Sequence, residues 1–388
     1  MLELVNMDAL VVGMFVVKVT QQTGKISVTS AGKITTQKAI DELAKKGILQ
    51  LEIDLTKSTH LKEEEKETNK PDNYVNASGL SYKQQLANSL KLHSQAKSIQ
   101  ARIIKQVSKG KITDLDDVNA ITEELVKSAF ECSDALGIIT MLKESDQYIL
   151  EHSISCAVLM VMFGRSLEIE TNTLRHLGAG ALLMDIGMIK MPLLLTQKAD
   201  DLNEQETQKV QTHVDIALKL LEPFESIDTI SLTVIKQHQE KLDGSGYPKG
   251  LIGEQISQYG RMAAIVDTYD SLTSTRPYRE AYCPADALKK MKNEDLGLDT
   301  ELVTKFISCI GIYPIGSVIK LASGKLAMVL RLNPQQPSKP VVMVFFNLTT
   351  QLDEVTQVDL SKVNDKIESS VSSDEHGLNL SSFLKKTF

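Results

Sequence analysis

The sequence predicts a mainly α chain: a helical-bundle domain over residues 86–310, flanked by a small N-terminal α/β domain at 1–57 and a small C-terminal β subdomain at 311–360. Three observations carry this expectation. From about Gln84 to Thr273, apolar residues recur every three or four positions, the period of helices that bury one face. After Tyr313 the texture turns to short β-branched runs. Residues 58–85 are polar and charged, the composition of a solvated linker.

From the N-terminus, Val11–Val19 and Ile48–Leu55 are β-rich, and Thr36–Lys46 has helical spacing with Gly47 as its stop. The run Lys62–Glu67 and Pro71-Asp72-Asn73 mark the linker. The stretch Gln84–Phe130 is helical and moderately charged, interrupted near Gly110. Gln147–Phe163 follows with Ile149, Cys156 and Phe163 at heptad spacing, and His152 lies on that same face. Leu174, Leu177, Ala181 and Met184 form the stripe of the next helix. Asn203 with Glu206 has capping-box spacing and opens a helix on which Val210, His213, Val214, Ala217 and Leu221 share a face. Ile227, Ile230, Val234 and Ile235 lead to His238, and Tyr259–Thr273 carries Met262, Val266 and Asp267. Val318–Leu321, Lys325–Leu332 and Val341–Phe346 are the predicted strands, with a hairpin-like turn at Ala322-Ser323-Gly324. A polar tail, 361–388, ends the chain.

The net charge of −7 argues against non-specific nucleic-acid binding, so a phosphate-bearing ligand must meet a local basic cluster. Cys132, Cys156, Cys283 and Cys309 show no metal-type spacing and are expected as buried free thiols in a reducing compartment. No basic region followed by an apolar core opens the chain, and no run approaches the ~18–20 apolar residues of a membrane helix. The expectation is a soluble cytoplasmic protein without membrane insertion.

Polar groups stand on otherwise apolar helical faces at His152, Asp185, His213, His238 and Asp267. A lone histidine in such a place is more often a satisfied core residue than a ligand. Asp185 is harder to set aside, because it is the only charge in the run Leu177–Ile189. An unpaired buried carboxylate costs several kcal/mol, so it needs a cation, a hydrogen-bond cluster or a shifted pKa. Converging in one bundle, three His and two Asp make a transition-metal donor set.

The stretch His238–Leu251 leaves its helix as a loop with Gly244, Gly246 and Gly250 around Tyr247-Pro248. Its Asp243-Gly244-Ser245-Gly246-Tyr247-Pro248-Lys249-Gly250 follows a His-x-Glu and precedes Asp267-x-x-Asp270-x-x-Thr273-x-x-Arg276-Pro277-Tyr278-Arg279. Over roughly residues 130–310 this wording closely resembles the HD-GYP family, bacterial relatives of the HD metal-dependent phosphohydrolases that act on cyclic di-GMP. Residues 1–57 resemble the small accessory domain that often precedes such modules.

The resemblance implies a multinuclear iron or manganese centre with His152, Asp185, His213, His238 and Asp267 as ligands, Asp185 bridging metals and acting in catalysis. It implies that Arg276 and Arg279 contact cyclic di-GMP; spacing alone fits equally a surface salt bridge to Glu280 or Asp270. It implies further that the loop around Tyr247 is a surface feature that docks GGDEF-domain partners. Three departures stand out: Met184 replaces the family's first His of the His-Asp pair, Met188 its phosphate-side Lys, and Gln239 its second His of a His-His pair. Thioether and amide are poor ligands for Fe(II) or Mn(II). The expectation is therefore damage at both metal positions: at most one weakly bound Fe or Mn, a catalytically impaired binding or docking module, and as the competing reading an active phosphodiesterase with a reduced metal set. Lys190, two residues beyond Met188, is expected to point elsewhere.

Overall fold

The computed structural model describes residues 2–7, 10–23, 31–54, 57, 80–110, 112, 114–142, 148–276, 279–350 and 352–372. Most of the expected linker, most of the expected tail, and Pro277 and Tyr278 lie outside the described residues. The chain divides into two compact units, Met1–Asn69 and Lys70–Phe388.

In the first unit, strands β1 (Leu2–Asn6), β2 (Phe15–Gln22), β3 (Gly32–Lys33) and β4 (Ile48–Asp54) form one antiparallel sheet in the order β1-β4-β2-β3. Helix α1 (Gln37–Lys45) starts where the Thr36 hydroxyl accepts from the Ala39 amide, satisfying a helix-end donor. Its Ile40 joins Val5, Val16, Leu51 and Ile53 in a separate small core. The strand at the very start of the chain was not expected, since Leu2 and Leu4 alternate outward and stay exposed.

The second unit opens with α2 (Tyr82–Ser108), whose first turn is closed by a reciprocal Ser81–Gln84 capping box. Helices α3 (Asp116–Gly137), α4 (Tyr148–Ser166) and α5 (Thr171–Leu183) follow, then the single turn α6 (Leu193–Thr196). Helices α7 (Glu204–Gln211) and α8 (His213–Leu221) break at Thr212, where one continuous helix was expected. Then come α9 (Thr229–Gln237), α10 (Gln258–Leu272), α11 (Pro284–Asn293) and α12 (Thr300–Ile310). At the centre lies α4, with every residue from Leu150 to Gly164 buried. By length and composition it does pass as a membrane span, contrary to the sequence expectation, yet 83% of that stretch is buried inside the protein. A core helix enclosed on all sides needs no polar face, and that accounts for its composition.

The C-terminal sheet comprises β5 (Val318–Leu321), β6 (Lys325–Arg331), β7 (Val341–Asn347), β8 (Leu352–Asp359) and β9 (Ile367–Val371), ordered β8-β7-β6-β5-β9. The expected boundary at 360 is too early, because β9 pairs with β5 from Val318↔Val371 onward. Its alternation is largely polar, so it was taken for tail. This sheet shares one core with Tyr82, Leu86, Ala135 and Ile138 of the helices. The Tyr82 hydroxyl donates to the Leu330 carbonyl at 3.0 Å.

Helix α3 carries a break in its helical dihedrals at Cys132 (φ −158°, ψ 90°), and Asp134 lies just beyond. Burial pushes the Asp134 carboxyl up to about 6, against the pull of Arg331 and Arg165. The folded value exceeds the ordinary one, so the ionised group subtracts stability above about 6, and the loss is recovered as pH falls towards ~3.9. Asp134→Asn is expected to raise the melting temperature at pH near 8, with the gain shrinking as pH nears 4. An equal gain at both pH values contradicts the burial account.

Candidate metal centre

Each candidate side chain is delivered by a different element. His152 lies one turn into α4, and Asp185 precedes the 3-10 turn Ile186–Lys190 after α5. His213 opens α8, His238 closes α9, and Asp267 lies on α10. Gly187 makes the approach possible: a Cβ there would stand 2.0 Å from the His213 carbonyl oxygen. No larger residue lets the Asp185 turn and the start of α8 close up.

These groups meet in one place. His152 Nε2 is 3.0 Å from Asp185 Oδ2 and 3.0 Å from Asp267 Oδ1. The other Asp185 oxygen, Oδ1, is 3.2 Å from His213 Nε2 and 3.7 Å from His238 Nε2. The two imidazoles approach each other at 3.3 Å between Nε2 atoms. Asp185 thus stands between two donor sets, His152–Asp185–Asp267 and Asp185–His213–His238.

The opposite ring nitrogens show that the site suits a cation. His213 Nδ1 contacts the Val210 carbonyl at 3.0 Å, His238 Nδ1 the Ile235 carbonyl at 2.9 Å, and His152 Nδ1 the Asp270 carboxylate at 2.7 Å. Carbonyl and carboxylate oxygens only accept, so Nδ1 donates in all three. In the neutral rings every Nε2 lone pair then faces the two carboxylates, an arrangement that needs either protons or a metal between them. The two share the same lone pairs, so metal uptake displaces protons.

The protonation pattern follows. Burial raises the Asp185 carboxyl, but hydrogen bonds from His152, His213 and His238 outweigh it and hold the group well below the usual carboxylate range. Burial lowers His213, and its bond to Asp185 more than restores it, leaving it raised. His152 likewise rises well above the imidazole range despite burial. Cys156, 3.7 Å from its ring, is pushed up to about 12 by burial and stays neutral near pH 7, so Asp185 and Asp267 are the partners that hold the imidazolium.

The replaced positions do not behave alike. Met184 is packed in the main hydrophobic core, where the bundle and not the site uses it. Gln239 faces the site, and its amide donates to Asp267 Oδ2 at 2.8 Å. Met188 lines the adjoining cavity, while the Lys190 ammonium donates to the Ser108 carbonyl at 3.4 Å, away from it. Of the three replaced positions, Gln239 bonds a candidate ligand, Asp267, and Asp185, His213 and His238 form a two-histidine, one-carboxylate set.

A cavity of about 340 Å³ opens at the centre, within the ~300–1,000 Å³ range of small-molecule sites. His152, Asp185, Gln239, Tyr247 and Arg276 line it. Arg279 does not: its guanidinium donates to the Ser271 carbonyl at 2.6 Å, and the backbones of Arg276 and Arg279 pair across the turn. Tyr247 does line it: its ring stands edge-on to His213 at 5.9 Å and walls the cavity, so the loop expected at the surface turns this residue inward. Burial first, then the charges of Asp267 and Asp185, push its hydroxyl above the ordinary range. Only the loop's Asp243, Ser245, Pro248 and Lys249 are exposed.

Glu240 gives this loop its shape. It is buried, and its carboxylate accepts from the Lys249 and Leu251 amides, each at 2.8 Å. Gly246 lies against the chain so closely that a Cβ would be 2.4 Å from the Lys241 nitrogen. Sequence reasoning passed over Glu240, Asp270 and Tyr148. Asp270 orients His152, and its spacing of three from Asp267 on one helix was the available signal.

The HD-domain family model matches residues 138–302, and a domain of unknown function, DUF3391, matches 3–118. The cyclic di-GMP phosphodiesterase PA4108 of Pseudomonas aeruginosa is 32% identical, across 69% of this chain and 64% of that protein. The 3'3'-cGAMP-specific phosphodiesterase 3 of Vibrio cholerae is 31% identical, across 43% of this chain and 36% of that protein. The chain thus spans less than two thirds of either relative. Bd1817, an HDG"Y"P protein from Bdellovibrio bacteriovorus, aligns with a TM-score of 0.48 at 16% identity over 79% of this chain and 98% of that one. The HD-domain match spans the helices that bring the buried His and Asp residues together. Its curated relatives over this region include cyclic di-GMP phosphodiesterases, and in this the chain resembles proteins of the HD-GYP type.

Asp270→Asn weakens the acceptor behind His152 without emptying the cavity. It is expected to lower Mn(II) affinity ~10–100-fold at unchanged helical content, measured by calorimetry and circular dichroism. Unchanged affinity contradicts the orienting role.

Proposed function

We propose that this chain is a cyclic-dinucleotide signalling protein whose centre takes one iron or manganese ion and is impaired in hydrolysis. The observation that carries this reading is the asymmetry around Asp185. On one side His213 and His238 are oriented through Nδ1 and present Nε2 to Asp185 Oδ1. On the other, the Gln239 amide occupies Asp267, and Met184 belongs to the apolar core. Asp185, His213 and His238 are the residues that hold the ion. His152 and Asp267, with the spare Asp185 oxygen, lack the further imidazole that a second ion needs.

A bound ion of this kind supplies Lewis acidity and an activated water at a phosphodiester. The chain's own residues hold the ligand in place. Arg276 supplies a guanidinium fork for a phosphate oxygen, and Tyr247 an aromatic wall for a base. Met188 offers no charge where the family places a lysine. Cyclic di-GMP is the ligand we favour, from the name of the Pseudomonas relative, with 3'3'-cGAMP as comparator from the Vibrio one. The exposed edge of the Tyr247 loop, at Asp243, Ser245, Pro248 and Lys249, is the surface offered to a GGDEF-domain partner. A working phosphodiesterase with a reduced metal set is the second reading, favoured by the three imidazoles that keep their orientation.

Metal analysis of anaerobically purified protein, with cyclic di-GMP turnover, separates the two. About one equivalent of metal and binding without turnover is expected; two equivalents with turnover defeats the proposal. In the variant combining Met184→His, Met188→Lys and Gln239→His, metal uptake is expected to rise. If the variant folds yet takes up no more metal than the parent, the account of the defect is wrong.

A further inference from the structure

Tyr148 is assigned no role by the features discussed so far. It is the first residue of α4, four before His152, and its ring stacks on His152 with centroids 5.2 Å apart and planes 18° from parallel. The Arg276 guanidinium lies over the same ring, 3.7 Å from its centroid. One Arg276 nitrogen, Nη2, donates to the Tyr148 hydroxyl oxygen and, at 3.1 Å, to Ser271 Oγ. Tyr148, Arg276, Ser271 and His152 all line the cavity.

We infer that Tyr148 is a ligand-contacting residue, and that with Arg276 it forms one phosphate-binding unit beside the metal centre. The inference rests on the reading of this cavity as a site for a phosphate-bearing ligand. The ring contributes by restricting the guanidinium. A free arginine side chain must give up much rotamer freedom to present its fork, and a cation–π contact spends that entropy before the ligand arrives. The hydroxyl contributes by donating. Its oxygen accepts from Arg276, and among the described residues no acceptor takes its own hydrogen. A tyrosine hydroxyl keeps its proton near pH 7. A hydroxyl that accepts from a cation is polarised towards donation. A phosphate oxygen in the cavity is the acceptor that completes the chain from Arg276 through Tyr148 to the ligand. The arrangement also recovers, from neighbouring elements, positive character that Met188 cannot provide.

Tyr148→Phe keeps the ring and removes the hydroxyl; Tyr148→Leu removes both. Binding of cyclic di-GMP is measured by calorimetry, binding of inorganic phosphate by phosphorus NMR, and bound Mn(II) by metal analysis. Tyr148→Phe is expected to raise the Kd for cyclic di-GMP about tenfold, and Tyr148→Leu further, with metal content unchanged in Tyr148→Phe. If the parent binds cyclic di-GMP and Tyr148→Phe binds it equally well, the inference is overturned while the cyclic-dinucleotide reading stands. If the parent binds phosphate in a Tyr148-dependent way but not cyclic di-GMP, the inference stands and the cyclic-dinucleotide reading falls. If the parent binds neither anion, both fall. A loss of metal in Tyr148→Phe equal to its loss of ligand also overturns the inference, because the residue is then a support of His152 alone.

Discussion

The ionised carboxylate of Asp185 is the group on which the centre depends. It is buried at the end of α5, and three imidazoles from α4, α8 and α9 turn their Nε2 atoms to its two oxygens. A single carboxylate at this depth costs several kcal/mol unless it is paired. That cost explains the local backbone: Gly187 lets α8 approach, Thr212 interrupts the helix so that His213 begins a new one, and α9 ends at His238. Three helix ends and one helix middle are spent on a single charge. A packed apolar cluster needs none of these devices.

Much of this was legible in the sequence, for an identifiable reason. His152, Asp185, His213, His238 and Asp267 each break an apolar helical face, and such a face has few explanations for a charge. The helices themselves were legible because their period is long and regular. What was not legible depended on contacts between distant segments. That Gln239 bonds Asp267 while Met184 joins the core follows from the relative rotation of α9, α10 and α5, which no spacing encodes. Tyr247 was misplaced for a related reason. A glycine-rich loop favours the surface, but the buried Glu240 folds this one back against His213. The strand β9 was missed because an edge strand with polar alternation looks like tail.

The donor set also limits what the departures can do. Replacing an imidazole by an amide removes a lone pair but leaves a hydrogen-bond donor, and Gln239 uses it on the oxygen of Asp267 that does not face His152. That bond gives this carboxylate oxygen a partner within the protein. Met184, in contrast, packs in the apolar core. The two residues are accommodated differently, Gln239 by a hydrogen bond and Met184 by apolar packing.

Helix α2 ties the centre to the rest of its unit. Its first residue, Tyr82, bonds the C-terminal sheet at Leu330. Further along, His93 and Lys97 hold the buried Glu151 at 3.0 and 2.7 Å, one residue before His152. Gln100 donates to the Leu182 carbonyl at 3.1 Å, three residues before Asp185, and the Ser108 carbonyl takes the Lys190 ammonium at 3.4 Å beyond it. One helix therefore braces both sides of the carboxylate bridge through polar contacts, buried at Glu151 and Leu182, which are directional where apolar packing is not. A rotation of α2 cannot satisfy Glu151 and Leu182 together in any register but this one. The relative placement of His152 and Asp185 is thus held by a helix that contributes neither residue.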